Sequence, residues 1–391
     1  MDIFSFLSGK KKDQLIAIFD IGSSHVTGAL VRFSSKESVR PHILVSKSFS
    51  IPLHDDSSYD QLVKGTFNTV EEVARFLESQ HLGAPKDIIC ILGAPWYTAH
   101  TRNVLVQEKT PFVFSKKFAD DLVAKELSSI QKELNITSDQ MLLENKTVSV
   151  KLNGYATAQP LNKKTKDVSI SLFTSFMPKD VHDLIQKKMH TFFHREPIIH
   201  TSLFTHVTLL RDMFPDDRDY VLVDVSGETT ECSIMRDGLL VESHSFPIGT
   251  NHVVRAIMMA EKKTYTLAQQ LFTMHLTDAL HGVHNDRVDK MIEKVRLDWQ
   301  NNTQQVFSLF AKRLLLPDHV FLFGNKHTMA WFQDILGTDV FHHVTFTHKK
   351  FKITPINPAL VHSLCTFEDG VSRDTCAMID TVFTHYYIYK K

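Results

Sequence analysis

The sequence predicts an α/β fold made of two architecturally similar halves, with an α+β unit inserted in the first. Three observations predict it. A hairpin of buried strands with a polar, glycine-bearing tip spans residues 15–33, and a second of the same design spans 220–235. A strand, a glycine turn and a helix follow in that order over 320–336. Between the hairpins, residues 85–190 carry strands and helices in a pattern of their own.

In order, the apolar run 15–19 leads into Asp20-Ile21-Gly22-Ser23-Ser24 and resumes over 26–33, as two buried strands joined by a tight tip. Residues 43–51 read as a third strand. Val70, Val73, Phe76 and Leu77 are spaced for one face of a helix over 69–78. The inserted unit begins with a strand at 88–92, then strand 104–107, helix 115–134, strands 141–152 and 168–176, and a helix after Pro178. In the second half, strand 220–223 meets the turn Asp224-Val225-Ser226-Gly227-Glu228-Thr229-Thr230 and returns over 231–235. A helical region, 251–315, includes the stripe Val288, Met291, Ile292, Val295 and Trp299. At the C-terminus Met378, Ile379, Val382, Phe383 and Tyr386 recur at helical spacing before Lys390 and Lys391. A last helix docked on the core is expected there, with a membrane-facing stripe or a strand as alternatives.

Composition narrows the function. The chain has 391 residues, 43% of them hydrophobic, and its 44 Lys+Arg balance its 44 Asp+Glu. Disorder and binding driven by phosphate neutralisation are therefore not expected, and no nucleic-acid partner is assigned. Cys90, Cys232, Cys365 and Cys376 form no CxxC or zinc spacing, as expected of free thiols in a reducing, cytoplasmic compartment. No apolar run approaches the roughly 20 residues that cross a bilayer. Phe4, Phe6 and Leu7 precede Lys10, Lys11 and Lys12, the reverse of a secretion signal. That segment is expected to be a solvated leader, with peripheral contact to an anionic membrane as its alternative.

Each hairpin puts a carboxylate, Asp20 or Asp224, at the end of a buried strand beside small residues. Outward N–H groups of such turns can cradle phosphate oxygens, and the two carboxylates can hold Mg2+ through water. Other chemistry finds little support. His281, His284, His342 and His343 lack a partner spacing for metal, no GxSxG occurs, Cys232 reads as a buried thiol, and the basic run 163–166 reads as a solvated loop.

In these motifs the chain resembles the actin-like (ribonuclease H-like) ATPase superfamily. Asp20, Gly22, Ser23, Ser24 and His25 fall in its first phosphate loop, and Asp224, Ser226, Gly227, Thr229 and Thr230 in its second. Gly324, Asn325 and Lys326 stand at its adenosine motif, which normally reads Gly-Gly-Gly or Gly-Gly, so a close backbone approach to adenine is harder here. The position of the insertion is similar to that of the branch holding FtsA and PilM, which carries an SHS2-type subdomain there. The segment 148–155 followed by Gln159-Pro160, and Phe246-Pro247-Ile248-Gly249, resemble FtsA; the opening Phe-Leu-Ser-Gly-Lys-Lys-Lys resembles PilM. The resemblance implies subdomain 1A over residues 1–84, 1C over 85–190, 2A beginning over 191–250, 2B over 251–318, and completion of 2A with the C-terminal return over 319–391.

The departures bear on ATP. Ser226 and Glu228 replace glycines, His25 stands where FtsA often has lysine, and Ala268-Gln269-Gln270-Leu271-Phe272 lacks both charged nucleotide contacts. A carboxylate about 4 Å from a phosphate costs roughly 4 kcal/mol at an effective dielectric of about 20, unless it turns away or meets a cation. The cofactors implied are thus ATP and Mg2+ held weakly or lost, with at most weak ATPase activity and no catalytic residue assigned. By resemblance the protein is an FtsA-like scaffold at the inner face of the membrane, binding the C-terminal tail of FtsZ and capable of self-association into filaments. The alternative is a PilM-like platform that captures the N-terminal peptide of a pilus protein. An active kinase- or chaperone-like ATPase is the third. The lack of a Gly/Ser/Pro-rich linker before residue 375 weighs against the strict FtsA role.

Overall fold

The computed structural model describes residues 13–34, 39–53, 58–276, 286–312 and 315–389. Phe4, Phe6, Leu7, Lys10, Lys11, Lys12, His281 and His284 lie outside them. The element order is β1 (Gln14–Ile21), β2 (His25–Phe33), β3 (His42–Ser50), α1 (Tyr59–Glu78), β4 (Asp87–Leu92), β5 (Thr98–Val113), α2 (Lys116–Glu133), β6 (Gln140–Leu152), β7 (Tyr155–Ala156), β8 (Lys164–Pro178), α3 (Lys179–Phe193), β9 (Pro197–Thr201), α4 (Ser202–Met213), β10 (Tyr220–Val225), β11 (Thr230–Arg236), β12 (Leu239–Phe246), α5 (Thr250–Glu261), α6 (Tyr265–Leu276), α7 (Asp286–Ala311), β13 (His319–Gly324), α8 (Met329–Leu336), β14 (Lys352–Pro355), α9 (Pro358–Val361), β15 (Thr366–Phe367) and α10 (Thr375–Phe383). A π-helical segment, Thr384–Tyr389, continues α10.

The chain divides into two compact units, one of residues up to Gly93, Asp183–Leu210 and Ile356 onward, the other of Ala94–His182 and Arg211–Pro355. In the first, the sheet order is β15-β3-β2-β1-β4-β9. β1 is antiparallel to β2 and parallel to β4. Asp20 lies opposite Thr27, and Phe19 opposite Gly28, so alternation puts these pairs on opposite faces. A Cβ on Gly28 would stand 2.3 Å from Val73 Cγ1, so this glycine lets α1 close on the Phe19 face. The other face receives the C-terminal helix: Phe33 stacks on His385 at 5.5 Å and on Tyr389 at 5.4 Å, and His200 meets Phe383 edge-on at 5.2 Å. Met378, Ile379, Val382 and Phe383 are buried, as the docked-helix expectation requires, and only Tyr386 of that stripe is exposed.

Helix α1 is longer than the periodicity predicts. Ser58 Oγ accepts from the Gln61 N–H and starts it, while Gly65, Thr66 and Thr69, poor helix formers, blur its first half in the sequence. Strand β4, expected at the head of the insertion, instead pairs with β1 and β9 in the first sheet. The insertion's own sheet, β5-β8-β6-β7, begins at Thr98. Val104, Phe114, Leu152, Val168, Ile170 and Leu172 form its core against Phe118, Leu122 and Val123 of α2.

The sheet of the second half, ordered β12-β11-β10-β13-β14, repeats the scheme of the first: β10 is antiparallel to β11 and parallel to β13. Val288, Ile292, Val295 and Trp299 are buried along α7 as predicted. The insertion and this half belong to the same compact unit, and Thr101 Oγ1 donates to the Val241 carbonyl at 2.7 Å. No helix among the described residues is long and apolar enough to cross a membrane. All four cysteines are free thiols.

His206 of α4 makes the first unit sensitive to acid. Burial lowers its imidazole from 6.5 to about 3, because the charged form would lose hydration. As pH falls the unfolded chain takes up this proton first. The stability is therefore full above a pH of about 6.5 and drains away towards about 3, with about 2 kcal/mol lost near pH 5. Urea unfolding at about pH 7 and about pH 5 measures this loss, and His206→Asn is expected to flatten it.

Candidate functional site

The first loop is shorter than the sequence predicts, because Asp20 and Ile21 complete β1 and only Gly22, Ser23 and Ser24 turn. The Gly22 N–H donates to the His25 carbonyl at 3.2 Å, and the Ser24 carbonyl accepts from Ile51 at 2.8 Å. Asp20 is buried, and burial is the main influence that pushes its carboxyl up. His25 opposes the shift, as does a hydrogen bond from Cys376, while Asp374 adds to it. Asp380 of α10, 2% exposed, is raised well above the usual carboxylate range by burial and then by Asp20 and Asp374. This face of the loop thus gathers carboxylates.

In the second unit, Asp224 lies opposite Glu231 one residue before the end of β10, and the turn beyond is closed by Ser226. Its N–H donates to the Thr229 carbonyl at 3.0 Å, and its Oγ lies 3.2 Å from the Ala94 carbonyl and 3.0 Å from Thr229 Oγ1. The N-terminus of α5 sits directly against this turn: Thr250 N–H donates to the Ser226 carbonyl at 3.0 Å and Asn251 N–H to the Gly227 carbonyl at 2.8 Å. Gly249 makes that approach possible. A Cβ there would meet the Ser226 and Gly227 carbonyl oxygens at 2.4 Å, and Gly249→Ala is expected to cost about 1–3 kcal/mol of stability in urea unfolding.

Glu228 neither turns to solvent nor needs Mg2+ for compensation. Its Oε1 accepts from Arg255 at 2.9 Å and from Asn251 Nδ2 at 2.8 Å, with the Arg255 and Glu228 side chains only 11% and 12% exposed. Helix N-termini attract anions, and this one already has a carboxylate beside it. Behind the loop, the Thr230 hydroxyl accepts from Trp299 Nε1 at 2.8 Å and donates to the Ile248 carbonyl at 2.7 Å. Glu231 is buried beside it; burial pushes its carboxyl up, against hydrogen bonds from Tyr97 at 2.7 Å and Ser243 at 3.1 Å.

The third segment, Gly324, Asn325 and Lys326, joins β13 to α8 as predicted. Asn325 Oδ1 accepts from His327 N–H at 2.9 Å, and the Asn325 carbonyl accepts from Thr328 and Met329, so this residue organises the helix start. In α6, Ala268 and Phe272 are buried while Gln269 and Gln270 are exposed; Phe272 packs edge-on against Trp331 at 5.7 Å. The position that would carry a charged contact is a core position here.

Within the second unit Glu228 is held by Arg255 and Asn251 at the start of α5, and within the first Asp20 accepts a hydrogen bond from the Cys376 thiol. Sequence reasoning missed Asn251 and Arg255, which anchor Glu228, and Cys376, Asp374 and Asp380, which surround Asp20. Arg255 was the available signal, being the one Arg or Lys in α5 and one turn from Asn251. Nothing local marks Cys376.

No protein-family model matches the chain, and no curated protein matches it in sequence. Among solved structures it is similar to a chain of the PilM-PilN type IV pilus biogenesis complex, with a TM-score of 0.62 at 12% identity, over 96% of each chain. It is also similar to the ethanolamine utilization protein EutJ from Carboxydothermus hydrogenoformans (TM-score 0.41, 13% identity, 89% of this chain and 87% of that one). A Bacteroides thetaiotaomicron protein of actin-like ATPase fold gives 0.44 at 9% identity, over 92% of this chain and 95% of that one. The chain has the actin-like ATPase fold.

Proposed function

We propose that this chain is a PilM-like scaffold of type IV pilus assembly, acting at the inner face of the cell membrane, in which the nucleotide loops have become structural. The observation that carries this proposal is the similarity to a chain of the PilM-PilN type IV pilus biogenesis complex along 96% of both chains, a span that takes in the insertion as well as the two halves. Glu228 held by Arg255 supports weak or lost ATP binding, with Asp20, Gly22, Ser23, Ser24, His25, Asp224, Ser226, Gly227, Thr229, Thr230, Gly324, Asn325 and Lys326 as the remnant of a nucleotide site.

The candidate partner surface lies where the insertion meets the second half of the fold. Val148, Ser149 and Lys151 of β6 line a cavity of about 270 Å³ together with Arg211, Phe214 and Arg218. Fluorescence anisotropy tests the proposal, using labelled peptides for the cytoplasmic N-terminus of the inner-membrane pilus protein and for the FtsZ C-terminal tail, both from the same genome. Binding of the pilus peptide, weakened at least about tenfold by Lys151→Glu, is expected; about 1.4 kcal/mol corresponds to that factor. Binding of the FtsZ tail alone would move the assignment to cell division.

A further inference from the structure

Among the described residues, one group of His, Cys and carboxylate side chains brings three donor atoms within 4.8 Å of one another: Asp20, His25 and Cys376. They come from the end of β1, the start of β2 and the first turn of α10, all within the first compact unit. Asp20 is buried, while His25 and Cys376 are half-buried, so the group is anchored in the core but reachable from outside. A second observation points to a missing partner. Asp380, one helical turn beyond Cys376, is 2% exposed, and its Oδ2 has no hydrogen-bond partner. It faces both Asp20 and Cys376 electrostatically. Thr27 Oγ1, directly across the strand pair from Asp20, is buried and likewise without a hydrogen-bond partner.

Carboxylates and a thiol gathered around a single imidazole are poorly compensated by protein charge, and a bound cation compensates them directly. The donor types select which cation. Mg2+ and Ca2+ take oxygen ligands, whereas a mixed set of imidazole nitrogen, thiolate sulfur and carboxylate oxygen suits Zn2+. Zinc–donor lengths of about 2.0–2.3 Å put tetrahedral ligands about 3–4 Å apart, so small side-chain rotations would close the observed group on a metal. Ser24 Oγ lies 2.9 Å from His25 Nδ1; with Nδ1 protonated, that bond orients the ring and leaves the Nε2 lone pair for the metal.

We propose that Asp20, His25 and Cys376 form a binding site for a thiophilic divalent cation, Zn2+ by donor set, with Asp380 as the supporting carboxylate. Binding displaces the Cys376 thiol proton to solvent and forms a metal–thiolate bond, with no change of oxidation state. The site needs neither nucleotide nor protein partner, so it stands apart from the scaffold assignment.

The test uses the full chain, stripped with a chelator and titrated with Co2+ and with Zn2+ against a chromophoric competitor. One metal per chain is expected, with a near-ultraviolet thiolate-to-cobalt charge-transfer band. Cys376→Ser should abolish the band, and His25→Ala should weaken Zn2+ binding by more than about 100-fold. Asp380→Asn should weaken it by roughly 10–100-fold, as a supporting contact does. Because a variant can misfold, a second measurement uses the unaltered chain: Zn2+ should protect Cys376 from alkylation, read by mass spectrometry of its peptide, while Mg2+ should not. A folded chain that binds no stoichiometric Zn2+, a cobalt band that survives Cys376→Ser, or equal protection by Mg2+ would overturn the site.

Discussion

Glu228→Ala is expected to raise the affinity of the chain for Mg-ATP or inorganic polyphosphate by at least about tenfold. On the proposed reading the Glu228 carboxylate stands in for a phosphate, accepting from Arg255 at 2.9 Å and from Asn251 at 2.8 Å at the start of α5. Removing it takes away a negative charge that would repel a phosphate and opens the face of the poorly exposed Arg255 guanidinium that now binds this carboxylate, which favours a phosphate oxygen. A tenfold gain is about 1.4 kcal/mol, well below the roughly 4 kcal/mol of a close charge pair at an effective dielectric of about 20. The expectation therefore survives a large loss to solvent and to conformational freedom. Arg255→Ala has the opposite character. It strands Glu228 in a site only 12% exposed and is expected to cost up to about 3 kcal/mol of stability, the lower end for a broken buried pair because Asn251 still donates to it. It should bring no gain in ATP affinity. Isothermal titration with ATP and urea unfolding of both variants separate the two effects. A folded Glu228→Ala protein that binds ATP no better than its parent would refute the self-occupied anion position.

Trp299→Ala is expected to cost about 3–5 kcal/mol, the range for deleting a large buried aromatic side chain. Trp299 is 0% exposed. It packs against Phe332 at 5.0 Å and Phe246 at 6.2 Å, and its Nε1 donates to Thr230 Oγ1 at 2.8 Å. The side chain therefore ties α7 and α8 to the strand that returns from the second loop. Trp299→Phe keeps most of the aromatic packing and gives up the hydrogen bond, so it should also be destabilising but less so than alanine. Urea unfolding followed by circular dichroism orders the three proteins. Hydrogen exchange at residues 226–230 should rise in the alanine variant, because the loop leans on this contact through Thr230.

Much of the fold was legible because burial writes itself into local patterns. The runs at 15–19 and 220–223 are apolar without alternation because both faces of those strands are covered, and α7 announces itself through Val288, Ile292, Val295 and Trp299. Strand β4 was less legible. Ile88 to Leu92 read as a strand, but no local signal says whether it joins the sheet before it or the one after, and its parallel partner β1 lies beyond a helix. The start of α1 was hidden for another reason: residues 59–64 are not buried and carry no apolar period, and Gly65, Thr66 and Thr69 interrupt the period where burial begins.

By itself, the sequence determined the order of strands and turns, the repetition of the two hairpins, and the place where the second loop departs from glycine. It could not decide what that departure does. A Glu228 facing solvent, repelling a nucleotide or meeting a cation is equally compatible with the sequence, and only the seating of α5 against the turn brings Arg255 and Asn251 to it. The same holds for Asp20, whose neighbours Cys376 and Asp380 come from the far end of the chain and reach it only because α10 docks on that face of the first sheet. Local patterns record how each segment meets water, whereas charge pairing and ligand grouping depend on long-range packing that no single segment encodes.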